Sequence, residues 1–166
     1  IPEYRLPRDI LQMEIDGIRQ LGVEMKTNHH FHFNGKGKTY QKLGFRAVFL
    51  SIGAHRNLRL NIPGEALQGV LPGVEFLRDV NLGKRFSIGE KVAVIGGGNV
   101  AVDVARSALR LGAKRVEIYY RRSRREMPAI AEEVEEAIRE GIKIHMLASP
   151  IKIIERGGKA IGMECL

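Results

Sequence analysis

Apolar positions recur along this chain with two spacings, and the switches between them mark out its elements. Leu11, Ile15, Ile18 and Leu21 share one helical face, predicting a helix over about residues 8–21 with Gly22 as its stop. Residues 23–27 alternate like a strand. Phe31 and Phe33 then fall on one strand face and His30 and His32 on the other, ahead of an Asn34-Gly35 turn. Residues 46–53 form an apolar strand running into Gly53 and Ala54, and Ile62-Pro63-Gly64-Glu65 is a turn. Val74, Leu77 and Val80 predict a short helix within 72–81.

The second half of the chain repeats a clearer pattern. Val92 to Ile95 is a short apolar run of the kind a strand buried on both faces requires. Val100, Val104, Ala108 and Leu111 recur at helical spacing over 99–111, and Gly112 ends that helix. Residues 115–120 alternate as a second strand. A further helix is expected over 129–140, with Pro128 in its first turn, Ile130, Val134 and Ile138 facing inward, and Gly141 after it. The run Glu132, Glu133, Glu135, Glu136 reads as the solvated face of that helix. A strand over 142–147 follows, then a hairpin, 151–155 with 160–165, around Arg156-Gly157-Gly158-Lys159.

Between the first of these strands and its helix stand Gly96, Gly97 and Gly98. The turn fits G-x-G-x-x-A, with Gly96, Gly98 and Ala101 in the three small positions. Gly96 permits a tight turn, Gly98 lets a pyrophosphate approach the backbone, and Ala101 lets the helix pack closely on the strand. The unpaired amides and the positive dipole end of the first helical turn then face the anion. The strand–turn–helix–strand setting is the context in which this pattern carries meaning. It predicts an α/β fold with a Rossmann-like parallel sheet, and Gly97, Asn99 and Val100 belong to the same cradle.

The end of the second strand refines the ligand. A site for the unphosphorylated dinucleotide puts a carboxylate there to bind the ribose 2′-hydroxyl. This chain has Tyr120 followed by Arg121, Arg122, Ser123, Arg124 and Arg125. A guanidinium can bind a 2′-phosphate through two parallel hydrogen bonds, so the expected nucleotide is NADPH. Arg121 and Arg122 are the leading candidates, with Arg124 and Arg125 behind them. Gly53, at the carboxyl end of an apolar strand, stands either where ligands meet open α/β sheets or as a plain turn glycine.

Composition narrows the classes. The chain has 166 residues and a net charge of +8, and six of its basic residues lie in 114–125, where a phosphate site is already expected. No zinc-finger spacing, RNA-binding aromatic motif or helix-turn-helix signal accompanies that charge, so nucleic acid is not the expected partner. His30 and His32 lack a third ligand and are read as edge-strand polar residues, with no metal. The single cysteine, Cys165, precludes an internal disulfide or a redox-active pair and makes a reducing, cytoplasmic setting the default. No apolar run approaches the roughly 20 residues that span a bilayer, so no membrane partner is expected. The start at Ile1, without an initiator methionine, and the stop after a hairpin strand suggest a piece of a larger polypeptide.

The stretch VAVIGGGNVAVDVARSALRLGAKRVEIYYRRSRREMPA resembles the NADPH-binding unit of the glutamate synthase small-subunit group, flavoproteins with two nested dinucleotide-binding domains. IPEYRLPRDILQMEI, AVFLSIGA and LNIPGE resemble other segments of that group in the same order. The resemblance implies part of an FAD-type domain over 1–64, a connector over 65–90 and an NADPH-binding domain, incomplete, over 91–166. It further implies hydride transfer from NADPH to FAD, with electrons passing to iron–sulfur centres or a partner subunit, or onward within a larger polypeptide. By similarity Gly96, Gly98 and Asn99 lie at the pyrophosphate, Arg121 and Arg122 at the 2′-phosphate, and Gly53 and Ala54 near FAD. The group's first glycine motif, its cysteine-rich region and its final FAD-contacting segment are absent from these residues, so tight FAD retention by this stretch alone is not expected. A non-catalytic nucleotide-sensing or subunit-docking module is the alternative.

Overall fold

The computed structural model describes residues 1–30, 44–53, 57–85 and 87–166, and the chain divides into two compact units. One comprises Pro7–His55, the other Ile1–Leu6 with Arg56–Leu166.

In the first unit the regular element among the described residues is helix α1, Arg8–Gln20, followed by Gly22 at φ 87°. The predicted periodicity is present, but of Leu11, Ile15, Ile18 and Leu21 only Ile15 is half-buried. The strands expected over 23–27 and 46–53 do not form, and Phe49 is 91% exposed. A strand needs a neighbouring strand to take its backbone hydrogen bonds, and among the described residues neither segment joins either sheet. Phe31, His32 and Phe33 of the expected strand and the Asn34-Gly35 turn lie outside the described residues, as does Ala54.

The second unit contains helix α2 (Gly73–Asn81), then β1 (Lys91–Ile95), α3 (Asn99–Arg110), β2 (Arg115–Tyr120), a 3-10 turn (Arg124–Glu126), α4 (Ala131–Arg139) and β3 (Lys143–Met146). β1, β2 and β3 make a parallel sheet in that order, so α3 and α4 are its two crossovers. Val92 pairs with Val116, and Ile118 with Ile144. The hairpin β4 (Pro150–Arg156) and β5 (Lys159–Cys165) is a separate two-stranded sheet. Gly64 locks the preceding loop to it: Ile153 donates its N–H to the Pro63 carbonyl at 2.9 Å. With φ at 87° and a Cβ position 2.7 Å from the Ile153 carbonyl, no other residue fits at Gly64.

The core lies between the sheet and the two crossover helices. Val94, Val116 and Ile118 meet Ala101, Val102, Ala105 and Ala108 of α3 and Val134 and Ala137 of α4. Ala101, Val102, Ala105 and Ala108 are the buried apolar residues of α3; of the positions picked out by spacing Ala108 is among them, while Val100 is 45% exposed and Leu111 lies at the surface. Val100 and Val104 instead point at α2, each 3.3 Å from where a Cβ on Gly73 would stand. In α4 only Val134 of the predicted inward trio is buried. Ile130 precedes the helix, which starts two residues later than expected, and Ile138 is exposed.

A charged network closes the outer side of α3. Arg5 grips Asp103 with one guanidinium nitrogen at 2.8 and 3.0 Å from the two carboxylate oxygens, and its Nε pairs with Glu133 at 3.0 Å. Arg106, 7% exposed, bonds Glu133 and Glu140, while Arg110 makes two contacts of 2.8 Å to Glu140. The Tyr4 ring lies under both guanidiniums, at 4.6 and 3.9 Å. Glu133 therefore leaves the solvated face expected of α4. The hydrogen bonds from Arg110, then from Arg106, hold the Glu140 carboxyl down to about 2, from a usual value of 4.5.

A depressed folded value means stability that is present above the unfolded value and is lost as pH falls through the folded one. Glu140 should thus contribute about 2 kcal/mol near neutrality, discounting for partial solvent access, and lose it between pH 4.5 and about 2. Glu140→Gln should lower the melting temperature at pH 7 and flatten its fall across that window. An unchanged acid profile in the variant would remove Glu140 from this role.

Candidate functional site

The site is built where β1 ends and α3 begins. The three glycines there are small for three different reasons. Gly96 has φ 138°, a backbone that side chains disfavour, and a Cβ on it would lie 3.4 Å from the Ala101 Cβ. Its N–H donates to the Tyr119 carbonyl at 3.0 Å, fastening the turn to β2. Gly97 is buried, and a Cβ on it would lie 2.5 Å from two atoms of the Tyr120 ring. Gly98, the cap of α3, is extended (φ −92°, ψ 175°), a conformation open to any residue. Its nearest neighbour, the Pro128 ring, stands 4.0 Å from a Cβ position. Nothing within the described chain requires glycine at 98.

Helix α3 leaves its first amides free. Its first inward bond runs from Ala101 N–H to the Gly98 carbonyl at 2.9 Å, and Val102 N–H reaches the same oxygen at 3.3 Å. Among the described residues no acceptor meets the N–H groups of Gly97, Gly98, Asn99 or Val100. Four successive unpaired donors at the positive end of a 12-residue helix are chemically able to cradle an anion.

A strap from β2 to α4 lies beside that cradle. Ala129 donates to the Gly97 carbonyl at 3.1 Å, and Ile130 donates to Asn99 Oδ1 at 2.9 Å. The Asn99 oxygen is therefore engaged by the strap, which spacing alone does not reveal.

The arginines sort into two kinds. Arg124 is committed to structure: it pairs with Glu135 at 2.7 Å and touches Met127 Sδ at 3.4 Å. Arg121, Arg122 and Arg125 are exposed, and among the described residues none makes an ion pair. The Arg122 carbonyl accepts Leu147 N–H at 3.2 Å, so its backbone is held, and its side chain acts on Glu126 only through its charge, without an ion pair. A capping box fixes the following turn, with the Glu126 carboxylate accepting Ser123 N–H at 3.1 Å and Ser123 Oγ–H at 2.9 Å. Those bonds hold the Glu126 carboxyl below its usual range.

Gly53 belongs to the other unit, exposed and at φ 70°. On the opposite face of β2 from the core, Tyr119 and Arg115 each bond Glu117 at 2.7 Å, and His145 stacks on the Tyr119 ring at 4.6 Å. The Tyr119 hydroxyl above all holds the Glu117 carboxyl below its usual range. Among the described residues no group of three or more His, Cys, Asp or Glu is placed to hold a metal ion, and no helix is long and apolar enough to cross a membrane.

The sequence pattern of the pyridine nucleotide-disulphide oxidoreductases matches residues 8–165. The chain belongs to that family. It is 47% identical over its whole length to the NADP(+)-dependent formate dehydrogenase subunit beta of Moorella thermoacetica, and covers 24% of that protein. It is 29% identical to the glutamate synthase [NADPH] small chain of Escherichia coli, over 99% of this chain and 37% of that one. The likeness to the glutamate synthase small-subunit group read from the sequence is thus borne out, although the chain spans only about a quarter to two fifths of these relatives. The thioredoxin reductase of Lactococcus lactis superposes on 65% of the chain and 34% of its own, with a TM-score of 0.50 at 26% identity. These likenesses agree with the α/β class and the parallel dinucleotide-type sheet.

Proposed function

We propose that Gly96 to Ala101 hold the pyrophosphate of NADPH and that Arg121 and Arg122 hold its 2′-phosphate. The observation that carries this reading is Gly98. Its conformation and surroundings would admit a side chain, yet it stands among four free amides at a helix N-terminus. Space kept open beside unpaired donors is what a close-approaching anion needs. The residues present therefore fit the nucleotide. Gly97, Gly98, Asn99 and Val100 offer N–H donors, and Gly96 and Ala101 set the turn's curvature. The guanidiniums supply charge and paired donors without giving up an existing salt bridge.

Bound there, NADPH supplies a hydride for FAD, and the protein's task is to position the two cofactors rather than to move protons. In the full-length protein we place FAD against Gly53 and Ala54, with residues 1–64 belonging to the FAD-type domain, 65–90 a connector and 91–166 the NADPH domain. Electrons would pass to iron–sulfur centres or to a partner subunit; that two relatives are named as a beta subunit and a small chain supports the partner. A cytoplasmic setting suits this chemistry.

Titrating the protein with each nucleotide, read by nicotinamide fluorescence, tests the assignment. NADPH should bind at least about tenfold more tightly than NADH, the worth of one charge-assisted contact. Equal or absent binding of the two would overturn it.

A further inference from the structure

The middle glycine of the turn is unexplained by any phosphate. Gly97 does not have a positive φ, so its backbone suits any residue, but its Cβ position lies 2.5 Å from Cδ2 and Cε2 of Tyr120 and 2.9 Å from Cγ. The ring occupies the place of the missing side chain. Tyr120 is 8% exposed, and its hydroxyl donates to the Glu126 carbonyl at 2.7 Å. Glu126 is the residue whose carboxylate closes the capping box on Ser123. The Tyr120 carbonyl meanwhile accepts Ala148 N–H at 3.0 Å, which ties the end of β2 to the segment after β3. One side chain therefore touches the glycine turn with its ring and the 3-10 turn with its hydroxyl, and Arg121 and Arg122 lie between these anchor points.

We infer that Tyr120 is a positioning residue that sets the spacing between the pyrophosphate cradle and the two unpaired arginines, and so determines selectivity for the phosphorylated nucleotide. Gly97 is glycine because Tyr120 is tyrosine. This inference rests on the nucleotide reading above. A residue that merely filled the core would affect NADPH and NADH alike. Tyr120 differs because its ring supports the part of the site both nucleotides share, while its hydroxyl holds the loop only NADPH uses.

The test separates those two actions in the full chain, using NADPH and NADH as probes. Tyr120→Phe keeps the ring and removes the hydroxyl. It should weaken NADPH about fivefold, the effect of one lost hydrogen bond, leave NADH within twofold, and lower the melting temperature by no more than about 4 °C. Gly97→Ala should weaken both nucleotides about tenfold, since the methyl group and the ring cannot share the space. Adding Tyr120→Ala to Gly97→Ala should bring NADH back toward its original affinity while NADPH stays weak. A Tyr120→Phe protein with an unchanged NADPH-to-NADH ratio, or a double variant no better than Gly97→Ala, would overturn the inference alone. An unmodified chain that fails to distinguish the nucleotides would sink the nucleotide reading and this inference together.

Discussion

Replacing both Arg121 and Arg122 by Ala should weaken NADPH about 100-fold and leave NADH within about threefold. Each guanidinium on a phosphate dianion contributes a charge-assisted contact of about 1.5–3 kcal/mol, and 1.4 kcal/mol is tenfold in affinity. The prediction is sharpened by what these arginines do not do. Both are exposed, and among the described residues neither pairs with a carboxylate, so their removal orphans no partner and should leave the melting temperature unchanged. Arg124→Ala is the contrasting control. It breaks the 2.7 Å pair with Glu135 and should change loop order more than nucleotide choice. Nucleotide affinities of the two variants, measured at fixed ionic strength because exposed charges are screened, decide the matter. Equal losses for NADPH and NADH would show the arginines to be general anion attractors rather than readers of the 2′-phosphate.

What the sequence revealed and what it hid follow from the range of the interactions involved. The β1–α3–β2 unit was legible because its signals are local: an apolar run, a glycine turn, a helical period and a second strand within 30 residues, Lys91 to Tyr120. The Gly112 stop, at φ 98°, and the turn at Gly64 were legible for the same reason. The strands expected at 23–27 and 46–53 failed because β structure depends on a partner that the segment's own pattern cannot supply. Apolar content alone, as in Phe49 and Leu50, was read as burial that the described structure does not give.

Of the α3 positions picked out by helical spacing, Ala108 is buried, but Val100 and Leu111 lie at the surface. The buried face is instead completed by Ala101, Val102 and Ala105, and small residues such as Ala101 let the helix pack closely. The Arg5–Asp103 pair joins residues 98 positions apart, and no local pattern announces it. Tyr120 stood in plain view next to the arginines. Its meaning appears only when its ring is found where a Gly97 side chain would be.

The remaining large effect comes from the site's emptiest position. Gly98→Ala should leave the fold intact and weaken both nucleotides about 100-fold. Stability is spared on three counts. The backbone at φ −92°, ψ 175° accepts alanine, the new methyl group meets only the Pro128 ring at 4.0 Å, and the cost of alanine at a helix cap is offset by the reduced freedom of the unfolded chain. Affinity is not spared, because the methyl group holds phosphate oxygens away from the free amides, and losing two such charged contacts at about 1.5 kcal/mol each gives the stated factor. Gly96→Ala must behave differently: its φ of 138° makes alanine strained, so melting temperature and binding should fall together. A Gly98→Ala protein that melts normally and still binds NADPH at full strength would mean that the open space is incidental, and that the anion approaches α3 elsewhere if it approaches at all.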